Sequence, residues 1–203
     1  MRLRTLLLAG CFSIATTAVA ASTTKKSCEC CEHGTPTAAS YKWDFKGEAN
    51  AIFSDIRADA EQASEHADQL AGFTRNDQID WEEHAEQLDG LKADVNDMGT
   101  KVCRLETIRR VVAPWQQAEI DRIAADVRLL ADSTEDAIRF GDTHSRELWL
   151  PTYQKYVNNM FDLSGKLEHS AATAVAYANA SKEVHNLRHE LGMPAPAAAA
   201  GDN

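Results

Sequence analysis

Between Tyr153 and Leu191 the apolar side chains recur at helical spacing with no proline to interrupt them. Tyr153, Tyr156, Met160, Leu163, Leu167, Ala174, Tyr177, Val184 and Leu191 fall on steps of three and four or their sums, which predicts one long amphipathic helix. At 1.5 Å per residue it would run roughly 58 Å, and a stripe of that length needs neighbours to cover it.

Three further segments carry the same spacing. The first, from about Asp44 to Phe73, has a stripe of Phe45, Ala49, Ile52, Ile56, Ala60, Ala63, Ala67 and Leu70 opposite a charged face. The second, from about Ile79 to Arg110, is the most regular: Trp81, Leu88, Val95 and Val102 fill one heptad position, and His84, Leu91, Met98 and Leu105 fill the other, as in a coiled coil. Pro114 opens the third, where a missing N–H does no harm, and Pro151 opens the last. Short connections between helices favour sequential neighbours. The expected fold is therefore all-α, an up-down-up-down antiparallel four-helix bundle with a long C-terminal helix.

The segments outside that bundle set the expected organisation. Arg2 and Arg4, an uncharged run from Thr5 to Val19 and the small residues Ala18-Val19-Ala20 have the layout of a signal peptide, so residues 1–20 are expected to direct export, to the periplasm or outside the cell. Leu8-Ala9-Gly10-Cys11 offers the alternative of lipid anchoring through Cys11. Residues 21–40 read as a flexible cysteine-containing arm, 41–192 as the bundle, and the Ala/Pro-rich 193–203 as a disordered tail. No later stretch is apolar enough to span a membrane. Cleavage after Ala20 lowers Lys and Arg from 21 to 19 against 31 Asp and Glu, a balance that argues against nucleic acid as a partner.

Two places could hold chemistry. His84 is the one ionisable side chain squarely on a core seam, and counting from each turn sets it level with His66, Ala67, Phe140 and Tyr153. A buried Tyr–His hydrogen bond is the structural reading, and a cofactor held by the bundle around His84 is the functional one. Glu-x-x-His, needed on two helices of a di-iron bundle, does not occur, and Cys28-x-x-Cys31 is followed by Glu32 where haem attachment needs histidine.

The second place is the opposite pole. His185 and His189 lie at i and i+4, and the last helix is expected to overhang the third by about eleven residues, or roughly 16 Å. The arm with Cys28, Cys30 and Cys31 enters there, and three thiols with two imidazoles form a donor set suited to copper or zinc. Disulfides are the competing use: with Cys11 removed, four of the five cysteines remain, and Cys103 on the second helix could staple the arm. Trp43, Trp81, Trp115 and Trp149 stand at or just before the four helix starts, positions suited to plugging the ends of the bundle or to an aromatic cage. No nucleophile elbow, phosphate loop or carboxylate pair stands out, and the Asp and Glu residues read as solvated outer faces. The expectation is a non-enzymatic protein that acts by interaction, with an unknown protein partner or a second copy of itself, or as a structural, envelope-associated factor, or else a copper- or zinc-binding protein.

Overall fold

The computed structural model describes residues 43–76 and 78–194. They form four helices: α1 Phe45–Phe73, α2 Trp81–Ile108, α3 Pro114–His144 and α4 Pro151–Glu190, with one turn of 3-10 helix, Arg109–Val111, between α2 and α3. There is no strand among the described residues. The signal-peptide and lipid-anchor readings and the cysteine arm fall outside them, as does most of the Ala/Pro tail.

Local chemistry places the helix ends. The Asp44 carboxylate accepts from the Gly47 N–H at 2.9 Å, which satisfies one of the donors left over at the start of α1. Pro114 and Pro151 open α3 and α4. The far end of α4 closes as a Schellman motif: Gly192 takes φ +64°, the Met193 N–H reaches the Arg188 carbonyl at 2.9 Å, and the Gly192 N–H reaches that of His189 at 3.1 Å.

Each helix packs on two others, α1 and α3 both lying against α2 and α4. Contacts between α1 and α2 climb one helix as they descend the other: Glu48 with Arg104 at 2.6 Å, Asp59 with Lys101, then His66 with Gln87 at 2.8 Å. The large core side chains are closed to solvent, among them Phe53, Ile56, Leu88, Met98, Leu105, Ile120, Leu130 and Tyr153. Ala49, Ala60, Ala63 and Ala67 are buried too, and their small size lets neighbouring backbones approach α1 closely.

The heptad of α2 is buried as its spacing predicts, from His84 through Leu105, with Trp81 partly buried at its edge. Three details differ from expectation. In α1 the core takes Phe53 and leaves Ile52 half-buried, because steps of four and three from Ala49 to Leu70 land on 53. In α4 the seam is Tyr153, Val157, Met160, Ser164, Leu167, Ala171 and Ala174, whereas Tyr177, Val184 and Leu191 are exposed. That stripe continues the half-buried flank of Tyr156 and Leu163, not the core line. Of the tryptophans, Trp81 and Trp115 pack on the core, while Trp43 and Trp149 are exposed.

Candidate functional site

At one pole the start of α2 meets the start of α4. The His84 Nδ1 and the Tyr153 hydroxyl lie 3.2 Å apart, and both residues are almost completely buried. Phe73 packs against the His84 ring at 5.4 Å between centroids, and Phe140 stacks on Tyr153 at 5.8 Å. The expected Tyr–His pair is thus present, but His66 is not level with it. His66, on α1, packs further along α2, where its Nδ1 is 2.8 Å from the Gln87 amide oxygen and its ring covers Gly90 so closely that a Cβ there would come within 2.6 Å of it. His144 stacks on Phe140 in solvent, 4.5 Å between centroids, so the three histidines of this pole do not converge.

Burial pushes the His84 imidazole down to about 4 against the opposing charge of Glu83, and burial pushes the Tyr153 phenol above its ordinary range. At neutral pH both groups are uncharged. The Tyr153 hydroxyl has no other hydrogen-bond partner among the described residues, so Nδ1 of His84 is the group that satisfies it. His84 also borders a cavity of about 180 Å³ walled by Ile79, Trp81, Arg146, Leu148 and Trp149. A general base works best with its pKa near the operating pH, which places this imidazole poorly for acid–base work at neutrality.

At the other pole α4 outruns its neighbours. Tyr177 meets Trp115 at 4.8 Å, and beyond Ala178 every side chain through Glu190 is exposed except Arg188. An open cleft of about 750 Å³ runs between the starts of α1 and α3 and this extension, bounded by Asp44, Trp115, Gln116, Asn179, Lys182 and His185. Gln116 ties two of its walls together: it accepts from the Ala113 N–H at 2.9 Å and donates to the Lys46 carbonyl and the Asn50 side chain, each at 2.9 Å. His185 stands on the cleft wall and His189 one turn further along, both exposed. The chain enters α1 beside the same cleft, since Asp44 is part of its rim. Cys28, Cys30 and Cys31 lie outside the described residues, and Cys103 is buried in α2. The close cluster of acidic ligand atoms among the described residues, Asp80, Glu82 and Glu83, is fully solvated at the start of α2.

Two acids that the outer-face reading missed are buried in α3. Glu119 pairs with Arg122 and Asp126 with Lys166, each at 2.7 Å, while Glu119 Oε1 and Asp126 Oδ2 have no hydrogen-bond partner among the described residues. Burial raises the Glu119 carboxyl above its usual range against the lowering effect of Arg122. Their signal is in the spacing: 116, 119, 123, 126 and 130 follow steps of three and four along the inward face of α3.

Compared with known proteins, the chain matches no family model, no curated protein and no solved structure. No described helix is long and apolar enough to cross a membrane.

Proposed function

We propose that this is an exported, non-enzymatic protein that works by binding another protein, with the projecting end of α4 as its contact surface. One observation carries the reading: the helix that closes the core from Tyr153 to Ala174 continues to Glu190 with Val184, Leu187 and Leu191 about half exposed or more. An ordered, properly terminated helix that presents apolar side chains beyond its own core has the form of a docking element. The order of contacts between the helices supports an up-down-up-down antiparallel arrangement, which makes the extension a single helix standing clear of the bundle.

The test is a photo-crosslinking side chain at position 187 in the full chain, activated in the native compartment. A defined adduct that disappears when Val184 and Ser181 are replaced by Glu, with helical content unchanged, is the expected result. Labelling no greater than at a solvent position such as Asp132 would overturn the reading. Export is checked by the intact mass of the native protein: cleavage after Ala20 is expected, and a diacylated species beginning at Cys11 would instead make it membrane-anchored.

A specific observation favours a second reading. His185 borders the cleft beside which the chain enters α1, and Cys28, Cys30 and Cys31 precede that entry point in the sequence. In this reading the reduced protein binds Cu(I) or Zn(II), with affinity falling as the thiols and imidazoles take up protons. Replacing His185 and His189 with Ala should weaken binding at least tenfold. Unchanged affinity and stoichiometry would reject a role for the helix. Visible absorbance of the natively purified protein tests the remaining alternative, a cofactor beside His84.

A further inference from the structure

We infer that the projecting end of α4 pairs with a second copy of this chain as a short, parallel, two-stranded coiled coil over Tyr177–Leu191. The inference rests on the interaction reading above and names its partner.

The pattern on the extension is a heptad. With Val184 in position a, Tyr177 and Leu191 are also a, and Ala180 and Leu187 are d. Tyr177, Val184, Leu187 and Leu191 are 55%, 54%, 47% and 73% exposed; Tyr177 leans on Trp115 at the base of the stripe, and nothing among the described residues covers the rest of it. The residues on the cleft, Ala178, Asn179, Lys182 and His185, occupy b, c and f. From Ala180 to Leu191 the stripe is therefore turned away from the cleft, and among the described residues a partner helix would displace nothing there. A β-branched residue at a with leucine at d, as at Val184 and Leu187, favours two parallel strands.

The charges select the orientation. Glu183 is at g and Arg188 at e, and in a parallel pair the g side chain of one helix meets the e side chain of the other five residues on, so Glu183 faces Arg188 of the second copy twice by symmetry. An antiparallel pair with the same core layers would set Glu183 against Glu190. The ten ion pairs among the described residues leave out Lys182, Glu183, Arg188 and Glu190 altogether. Arg188 reaches the Pro194 carbonyl at 2.7 Å, but its buried Nε has no hydrogen bond among the described residues.

Two heptads bury less than the area of a standard interface, which limits the dimer to a reversible one with Kd on the order of tens of micromolar. Sedimentation equilibrium of the mature full chain from 5 to 500 μM tests it, in reductant and EDTA so that neither a disulfide nor a metal can bridge two copies. The expected result is a monomer–dimer equilibrium across that range. Val184→Glu with Leu187→Glu should leave a monomer with unchanged helical content, since neither side chain belongs to the core. Glu183→Arg alone and Arg188→Glu alone should each weaken association about tenfold, and the two together in one chain should restore it. A wild-type monomer at 500 μM overturns the inference but leaves the reading of α4 as a docking element standing, because the crosslink to another protein is a separate measurement. A dimer that survives the double glutamate change places the interface elsewhere and also overturns it. Failure of the charge exchange to restore association rejects the parallel register.

Discussion

The His84–Tyr153 pair makes stability depend on pH in a way that one substitution isolates. The folded chain holds the imidazole near a pKa of about 4, against 6.5 for an unperturbed histidine, and the cause is burial. As pH falls from 6.5 to 4 the unfolded chain takes up a proton that the folded chain refuses, so stability falls with pH through this window and levels off below it. Linkage puts the loss at pH 4 at roughly 3 kcal/mol. His84→Leu removes that loss. It also leaves the Tyr153 hydroxyl, whose partner is His84, buried without a partner, which costs about 1–2 kcal/mol at neutral pH. The variant is therefore expected to be less stable than wild type at pH 7.5, although a polar group has left a heptad core, and more stable than wild type at pH 4. Urea unfolding followed by circular dichroism every half unit of pH measures the gap, and the carboxylates common to both proteins cancel in it. The crossing should fall between about pH 5 and 6. A gap that stays constant from pH 7.5 to 4 would refute the claim that His84 is held neutral by burial. Adding Tyr153→Phe to the leucine variant should recover the neutral-pH loss without moving the acid limb.

The two glycines of α2 make opposite predictions from the same helix propensity. Nothing lies within 4 Å of a Cβ at Gly99, so Gly99→Ala should raise stability by about 1 kcal/mol in thermal or urea unfolding. Gly90→Ala should be neutral or destabilising, with the His66 ring displaced as read by its NMR shifts, because the new methyl would sit 2.6 Å from that ring. Gly141→Ala drives a methyl into the Trp81 indole and should cost about 1–3 kcal/mol, with a red shift of tryptophan emission as Trp81 moves toward water. Lys166→Ala strands the buried Asp126 carboxylate and should cost about 2 kcal/mol, a value moderated by the exposure of the lysine; Asp126→Asn in the same chain should recover most of it.

What could be read from the residues alone follows the size and regularity of the side chains. The heptad of α2 is long and built of large residues, so its buried face was plain from Leu88 to Leu105. The Tyr153–His84 bond could be found by counting because the turns at 74–80 and 145–150 are short and leave little freedom of register. The seam of α1 was harder. It rests largely on alanine, and Ile52 beside Phe53 offers two apolar residues for one inward position, which only the packing of α2 and α4 decides. Trp43 and Trp149 were placed correctly along the chain but not in depth: Trp43 turns outward and donates its indole N–H to Glu48 at 2.7 Å. The buried acids of α3 were missed because a carboxylate on a core-facing step is indistinguishable, by composition, from one on a solvated face. What separates them is a partner from another helix, Lys166 for Asp126, and no local pattern encodes that.

α4 shows why such a reading must stop short of function. A three–four stripe states which side of a helix is apolar, not whether anything covers it, and Tyr177, Val184 and Leu191 carry the same signal as Met160 or Leu167. Coverage depends on where the other helices end. With α3 beginning at Pro114 and α1 at Phe45, and with Trp115 already level with Tyr177, no described helix of this chain reaches Val184 or Leu187. The helix nonetheless continues in register and is closed at Gly192 by hydrogen bonds to the Leu187, Arg188 and His189 carbonyls, so the exposed stripe is held in one conformation before any partner arrives. That preorganisation lowers the entropy lost on association. It also accounts for how a patch of four apolar side chains could still sustain a specific contact.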